Sequence, residues 1–339
     1  GDDPVTPLIT YYYFMEDFEN PNLYGQLAVK TTDTYYRFGW RNEKIVTGIQ
    51  PIFSYICYGA YSAYDRGKSD ETRRFYGNSL GIVFSGQYLF TRYLSSLVSW
   101  RPDYYFYFKK SDTGIDLPER HWENQLAADF TFNSVHEKNI GRVKHGILAK
   151  LRYEHTFRNG YGTFRDTADA ADSGIDNTDK LYTTLGAYYN FKGDYNLLAE
   201  CRAGLHHDVD RNNAEKIGFF DADHAIVPGY YYGEFYHDRY MVLSAQAGIP
   251  VPFWDTRIQP GFFILLMPQE NNVVGVDDYP RKMYRSVACE LSTSVANILP
   301  VFICYGYGID AQRKGERGNH EIRAYFFAAF GENETGVKQ

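Results

Sequence analysis

The sequence predicts an all-β chain whose strands close into a transmembrane antiparallel β-barrel, and three observations carry that reading. Apolar and polar residues alternate with a period of two along most of the 339 residues, which puts successive side chains on opposite faces of a pleated strand. The alternating segments run for about 10–14 residues, against roughly 5–6 in an ordinary globular strand and about 9–11 for a tilted strand crossing a bilayer. Aromatic residues make up 18% of the chain, with 32 Tyr and 24 Phe. That share exceeds what a soluble sandwich needs and suits the two interfacial girdles of a membrane barrel.

The exclusions agree. No run of about 18 apolar residues is present, so no helix spans a membrane. Disordered chains are poor in aromatics, and this one is rich. A net charge of -7 gives no electrostatic reason to expect nucleic acid. Cys57, Cys201, Cys289 and Cys304 lack CxxC spacing and read as isolated apolar thiols in strands.

The alternation can be followed element by element. Leu126, Ala128, Phe130 and Phe132 oppose Gln125, Asp129, Thr131 and Asn133. Ile147, Ala149, Leu151 and Tyr153 oppose Lys144, Lys150, Arg152 and Glu154. Leu181, Leu185, Ala187 and Tyr189 oppose Thr184, Gly186 and Asn190, and Leu197, Ala199, Cys201 and Ala203 oppose Asn196, Glu200 and Arg202. Val287, Cys289 and Leu291 oppose Ser286, Glu290 and Ser292; Ile322, Ala324 and Phe326 oppose Glu321 and Arg323. The apolar faces, Leu151 and Phe326 among them, are expected toward lipid, and Arg152 and Arg323 toward the lumen.

Strands are read at 7–15, 23–32, 35–41, 45–64, 75–89, 92–109, 122–133, 143–157, 180–192, 194–207, 239–250, 256–268, 284–296, 300–310 and 320–330. A bacterial single-chain barrel has an even number, and 45–64 is long for one crossing. A break at Pro51 gives about sixteen strands, with fourteen as the rival count. Short turns at 192–194, 251–255 and 297–299 alternate with long polar loops at 158–179, 208–238, 269–283 and 311–319. Long loops belong outside and short turns in the periplasm. The expected organisation is a barrel over 1–331 that ends at Phe330, a polar tail over 332–339, and a place in the bacterial outer membrane. The girdles are expected from Tyr11 to Phe14, Tyr104 to Phe108, Tyr230 to Tyr232 and Phe326-Phe327.

From about residue 122 the order of features resembles the barrel of the BamA/TamA surface-antigen superfamily of insertases and translocators. The hairpin from Asn124 to Glu154, the hairpin 180–207 and a long loop ending Ile226-Val227-Pro228-Gly229-Tyr230 carry the likeness. So do the five strands that follow, closing on Ile303 to Ile309 and Glu321 to Phe330. The resemblance implies that Pro228, Gly229 and Tyr230 form the tip of a loop folded into the lumen, where the family places Arg-Gly-Tyr or Arg-Gly-Phe. Pro228 brings no charge to an acidic residue on the lumen wall, and Phe262 to Met267 does not match the family's aromatic-x-Asp-x-Gly strand motif. Strand-like sequence begins within the first ten residues, so POTRA-type modules are not expected ahead of the barrel in this sequence.

Little else points to chemistry. His206, His207, Asp208 and Asp210, with Asp221, Asp223 and His224 nearby, have the residue types of a divalent-metal site. A solvated acidic loop accounts for them better, as it does for the Asp residues between Asp166 and Asp179. Ser134 and His136 fall in a predicted periplasmic turn rather than at a hydrolase site. No catalytic residue, metal site or cofactor is expected.

The leading functional expectation is outer-membrane protein assembly or export, directly or as a complex subunit, without enzymatic chemistry. It would work through a weak seam between the first and last strands, at Thr10, Tyr12 and Phe14 on one side and Arg323, Phe326 and Phe330 on the other. Expected partners are the lipid bilayer and lipopolysaccharide, with other outer-membrane or periplasmic proteins. A passive porin or small-solute transporter is the alternative, and a barrel scaffold for partner proteins a further one. In a porin the inward charges would set ion selectivity; paired across strands they would brace the wall instead.

Overall fold

The computed structural model describes residues 10–15, 20–30, 33–55, 61–65, 68–109, 117–138, 143–160, 175–211, 213–218, 225–231, 233–252, 256–295, 299–313 and 316–326. The sheet opens with β1 (Thr10–Met15), β2 (Leu23–Lys30), β3 (Asp33–Arg41) and β4 (Ile45–Tyr55). β4 and β5 (Tyr61–Asp65) lie end to end along one partner, β6 (Lys68–Leu89), and so are two stretches of one wall strand. β7 (Leu94–Lys109), β8 (His121–Asn133) and β10 (Val143–Asn159) follow, with β9 (His136–Lys138) a short return against the start of β10. Next come β11 (Asn177–Asn190) and β12 (Asn196–His207). β13 (Lys216–Ile217) and β14 (Phe235–Tyr236) pair with each other inside the next loop. The wall resumes with β15 (Arg239–Val251), β16 (Thr256–Leu266), β17 (Met283–Val295), β18 (Leu299–Arg313) and β19 (Glu316–Phe326).

Wall strands adjacent in sequence pair antiparallel, giving a meander of fifteen strands among the described residues. Their length is that of a barrel wall whose backbone groups are satisfied between strands. The faces are inverted relative to a soluble protein. On β10, Ile147, Leu151, Tyr153 and Phe157 are exposed, while Glu154, Thr156 and Arg158 are buried. The same inversion puts Leu185, Leu197 and Phe262 outside and Asp129, His206 and Arg257 inside. Water would reverse this arrangement, and lipid accounts for it.

Five prolines fall within wall strands; Pro250 and Pro300 lie next to strand ends, and the three interior ones each sit at a gap in one ladder only. Pro51 is opposite Ile82 on β6, whereas the β3–β4 ladder skips from Tyr35↔Ile52 to Phe38↔Ile49. Pro102 keeps its place opposite Asn124 while β6–β7 skips beside it, and Pro260 stays opposite Cys289 while β15–β16 skips. The N–H of successive residues points to alternate neighbours, so a proline forfeits a bond to one side alone. The expected break at Pro51 is therefore corrected: the strand passes through it, and 45–64 is not split there.

Two further expectations change. The stretch 311–319, read as a long loop, mostly extends the β18–β19 hairpin, which pairs Arg313 with Glu316 after a bulge between Gly308 and Gln312. Of the aromatic run Tyr104 to Phe108, Phe108 faces out. Tyr105 and Tyr107 turn inward and stack on buried His121 at ring distances of 5.4 and 5.8 Å. Residues 327–339, with Phe327, Phe330 and the expected tail, lie outside the described residues.

The face assignment predicts an asymmetry on β10. Leu151→Arg, on the lipid face near mid-strand, should lower refolding stability by about 2–4 kcal/mol. Lys150→Leu, on the lumen face, should cost far less. Equal costs measured in lipid vesicles would contradict the assignment.

Candidate functional site: a lumen filled by a folded loop

The lumen wall is cross-linked by charge. Arg152 on β10 donates to Asp129 of β8 at 3.0 Å and to Glu154 at 2.5 Å. Gln125 donates to Glu154 at 3.2 Å, and Lys150 stands 3.4 Å from Asp129. On β12, Glu200 accepts from Arg202 at 3.1 Å and from the Tyr188 hydroxyl of β11 at 2.5 Å. Asp129 and Glu154 are buried, and a buried carboxylate is tolerated only when paired and hydrogen-bonded. These inward charges thus brace neighbouring strands.

The loop between β12 and β15 folds onto this wall. Asp208 takes a positive φ of 52° at its start. Asp210 and Asn213 then close a turn by reciprocal bonds of 2.9 and 3.1 Å. The wall reaches out to the turn: Arg158 donates to Asp210 at 2.7 Å and Tyr182 to Glu215 at 3.2 Å. Thr178 donates to the Asp208 carbonyl at 2.9 Å. Beyond the turn, Ile217, Val227, Tyr230 and Phe235 of the loop share an apolar core with Tyr240, Val242, Leu265, Tyr284 and Ala311 of the wall. Apolar burial between loop and wall holds the loop in place.

The tip is seated most closely. Gly229 has a φ of 84°, and a Cβ there would come within 2.1 Å of the Gly308 backbone nitrogen. A Cβ on Gly306 would meet Gly229 at 2.6 Å. Glycines on both sides thus permit direct backbone contact. Asn319 of β19 donates to the Gly229 carbonyl at 3.1 Å. Tyr230 is wholly buried, and its hydroxyl donates to the Arg285 carbonyl of β17 at 3.0 Å. Here the β17–β18 ladder has ended, its last pair being Ser286↔Gly308. The Arg285 N–H goes instead to the Asp310 carboxylate at 3.1 Å. Both backbone groups of Arg285 are therefore satisfied by side chains. Tyr230 belongs to this core, which corrects its place in a girdle.

Asp310 is the acidic wall residue beside the tip. Pro228 offers it no charge, and its cations come from the β16–β17 loop and the wall: Arg281 at 2.9 Å, Arg285 at 2.9 Å and Arg317 at 3.0 Å. Sequence reading missed Gly306, Gly308, Asp310 and Asn319. The alternation of Gly306 and Gly308 on one face was the available signal.

The β16–β17 loop covers the first. Val274 accepts from the Arg211 N–H and donates to the Val209 carbonyl, both at 3.0 Å. Asn272 donates to Asp238 at 2.8 Å. Between the loops His237 is fully buried, its Nε2 at 3.0 Å from the Pro268 carbonyl and its Nδ1 accepting from the Arg239 N–H at 3.0 Å. Nδ1 also stands 2.8 Å from the Asp238 carboxylate, and burial lowers the His237 pKa against the pull of that neighbour. Asp238 is held below the usual carboxylate range by Asn272, His237 and Arg239 acting against burial.

The other expected residues distribute as follows. Thr10, Tyr12 and Phe14 lie on β1, opposite Lys30, Ala28 and Gln26 of β2. Arg323 and Phe326 lie on β19, opposite Cys304 and Val301 of β18. No ladder joins β1 to β19 among the described residues, and Phe330 is outside them. His206 and His207 point to opposite faces: the first is buried between Tyr182 and Tyr240, the second pairs with Asp208 at 2.8 Å. They therefore do not converge with Asp210, which is engaged by Arg158. Ser134 donates to the Ile147 carbonyl at 3.2 Å within a turn. Asp221, Asp223 and His224 are outside the described residues.

Among solved structures, the fold is similar to that of BamA from Haemophilus ducreyi lacking POTRA domains 1-3. The TM-score is 0.62 and the identity 9%, over 94% of this chain and 67% of that one. It is also similar to CdiB from Acinetobacter baumannii, with a TM-score of 0.53 and 11% identity over 94% of this chain and 56% of that one. The chain thus spans about two thirds of the first and just over half of the second. No protein-family profile and no curated protein matches the sequence. The fold is that of a BamA-like outer-membrane β-barrel.

Two outcomes follow from the loop geometry. Gly229→Val adds a branched side chain where a bare Cβ already collides with Gly308, so the tip should lift from the wall. Faster protease cleavage within 208–238, with the β-signal in circular dichroism retained, is the expected result; an unchanged cleavage rate would contradict tight seating. For His237 the depressed pKa means that the unfolded loop binds more protons than the folded one. Its contribution is complete above the ordinary histidine value near 6.5 and is lost as pH falls from there toward the folded value. Asp238 acts lower, losing its contribution as pH drops through its own depressed pKa. Cleavage should therefore rise between pH 7.5 and 5 in the native chain and change less in His237→Gln. Equal pH dependence in both would remove His237 from the account.

Proposed function

We propose that this chain is an outer-membrane barrel acting in the assembly or export of outer-membrane proteins, directly or as one subunit of a complex. One observation carries the reading: an inward-folded loop is latched by its tip to the inner face of β18 and β19, the last two strands of a BamA-like barrel. A latch there couples the lumen to the end of the sheet, where β19 must meet β1 for the barrel to close. Binding that disturbs the loop would then alter the junction, and a junction that opens can template an incoming strand.

No cofactor or covalent chemistry enters this reading. Its partners are client barrel proteins, the lipid bilayer and, where other subunits are needed, further outer-membrane or periplasmic proteins. A porin would need an unobstructed lumen, and the loop core packed against β15–β18 argues against one.

The test is to lock the seam. Tyr12→Cys combined in turn with Arg323→Cys, Ala324→Cys and Phe326→Cys reads register and opening together. The proposal expects one efficient cross-link that blocks growth or outer-membrane protein assembly until reduced. Normal growth with a quantitatively locked seam, together with steady conductance in planar bilayers, would favour the porin instead.

A further inference from the structure

The loop tip touches the last two wall strands in two different ways. Against β18 the contact is backbone on backbone. A Cβ on Gly308 would come within 2.5 Å of the Gly229 carbonyl oxygen, so that oxygen occupies the space a side chain at 308 would take. Against β19 the contact is made by a side chain. Asn319 is buried and lies directly opposite Gly308 in the β18–β19 ladder. Its Nδ2 donates to the same Gly229 oxygen at 3.1 Å. The bare Cα of Gly308 therefore seats the tip on β18 and also clears the path by which Asn319 reaches across to it.

The chemistry at 319 is specific. The acceptor is a buried carbonyl, which needs a donor. Asparagine brings an N–H donor on a short side chain; aspartate has the same shape, and as a carboxylate it only accepts. The place in the ladder matters as well. Pairs run in register from Val301↔Phe326 to Gly308↔Asn319, and the register then shifts across the bulge to Gln312↔Arg317. Asn319 is thus the last regular rung before the bulge, where the ladder is disrupted and one added bond weighs most. Beyond the bulge, Arg317 is tied back to Asp310 at 3.0 Å.

We infer that Asn319 is a positioning residue that transmits the seating of the lumen loop to β19, so that lifting the tip loosens this last wall strand from the rung at 319 onward. The contact with β18 does not do this by itself, because β18 is held by ladders to β17 on one side and β19 on the other. The inference deepens the proposed function, and its meaning for assembly rests on that reading: a client or partner that displaces the loop would act on the seam strand through one amide. The coupling between loop and strand is a property of the chain alone and is measured without any client.

The test is a double-mutant cycle on the refolded full chain in detergent micelles, read by hydrogen exchange of the segment 319–326 and by protease cleavage within 208–238. Gly229→Val is expected to speed exchange of 319–326 about tenfold in the native background and less than about twofold after Asn319→Asp, twofold being the scatter between independent sites. Loop cleavage should still rise with Gly229→Val in both backgrounds. Asn319→Asp alone should leave cleavage near the native rate, since the apolar core around Tyr230 still holds the loop. Asn319→Ala removes the donor without adding charge; it is expected to match Asn319→Asp and replaces it should that variant fail to refold. Equal acceleration of 319–326 by Gly229→Val in both backgrounds would overturn the inference, because the signal would then bypass Asn319. Loop cleavage in Asn319→Ala as fast as in Gly229→Val would overturn it too, making the residue an anchor of the tip and nothing more. An intact cycle, with outer-membrane protein assembly unchanged in cells carrying Asn319→Ala, would uphold the coupling and remove the assembly reading.

Discussion

Hydrocarbon offers no partner for a peptide N–H or C=O, and the rest of this structure depends on that constraint. Each wall strand must find a neighbour on both sides, so the chain folds as an unbroken antiparallel meander. Departures from the ladder are small and each is accommodated locally. Pro51, Pro102 and Pro260 interrupt one side only, leaving the other ladder to hold the strand. At the outer end of β17–β18, where the ladder stops, Asp310 accepts the freed N–H of Arg285 and Tyr230 donates to its carbonyl. The loop tip is thus part of the hydrogen-bond accounting of the wall as well as a filler of the lumen.

Once the backbone is satisfied between strands, side chains are free to sort by solvent. Lipid takes Ile147, Leu151, Leu185 and Leu197; the interior takes the charges. Those interior charges would be costly alone, and they appear as shared networks: Arg152 between Asp129 and Glu154, Arg158 between Glu123 and Asp210. Arg158 links wall to loop, so the same electrostatics that brace the strands also place the loop. The apolar core around Tyr230 then fixes the tip, and Gly229, Gly306 and Gly308 let backbones touch.

The wall was legible in the sequence because period-two alternation is a local property. Strands such as 143–157 and 256–268 lie within a few residues of β10 and β16, and the parity of Leu151 and Arg152 could be read directly. Position 51 misled because a proline in a strand signals lost bonds without saying on how many sides. The stretch 311–319 is polar and Gly-bearing like a loop, yet its hairpin pairs across a bulge that no local pattern marks. Tyr105, Tyr107 and Tyr230 were grouped with lipid-facing aromatics because composition does not reveal parity at a strand end or inside a loop. Asp310 was invisible for another reason. Its importance comes from three arginines and the freed N–H of Arg285, brought together by long-range pairing.

The central claim is that one face of every wall strand meets lipid while the other meets a polar, loop-filled interior. Spin labels placed singly from Ile147 to Phe157 in vesicles test it most directly, through collision with oxygen, which partitions into lipid, and with a water-soluble nickel chelate. The account predicts oxygen accessibility that alternates with period two and peaks at 147, 149, 151, 153 and 157, with low chelate access at those positions. High chelate access at both parities, or oxygen access without alternation, would show that β10 does not line a membrane barrel.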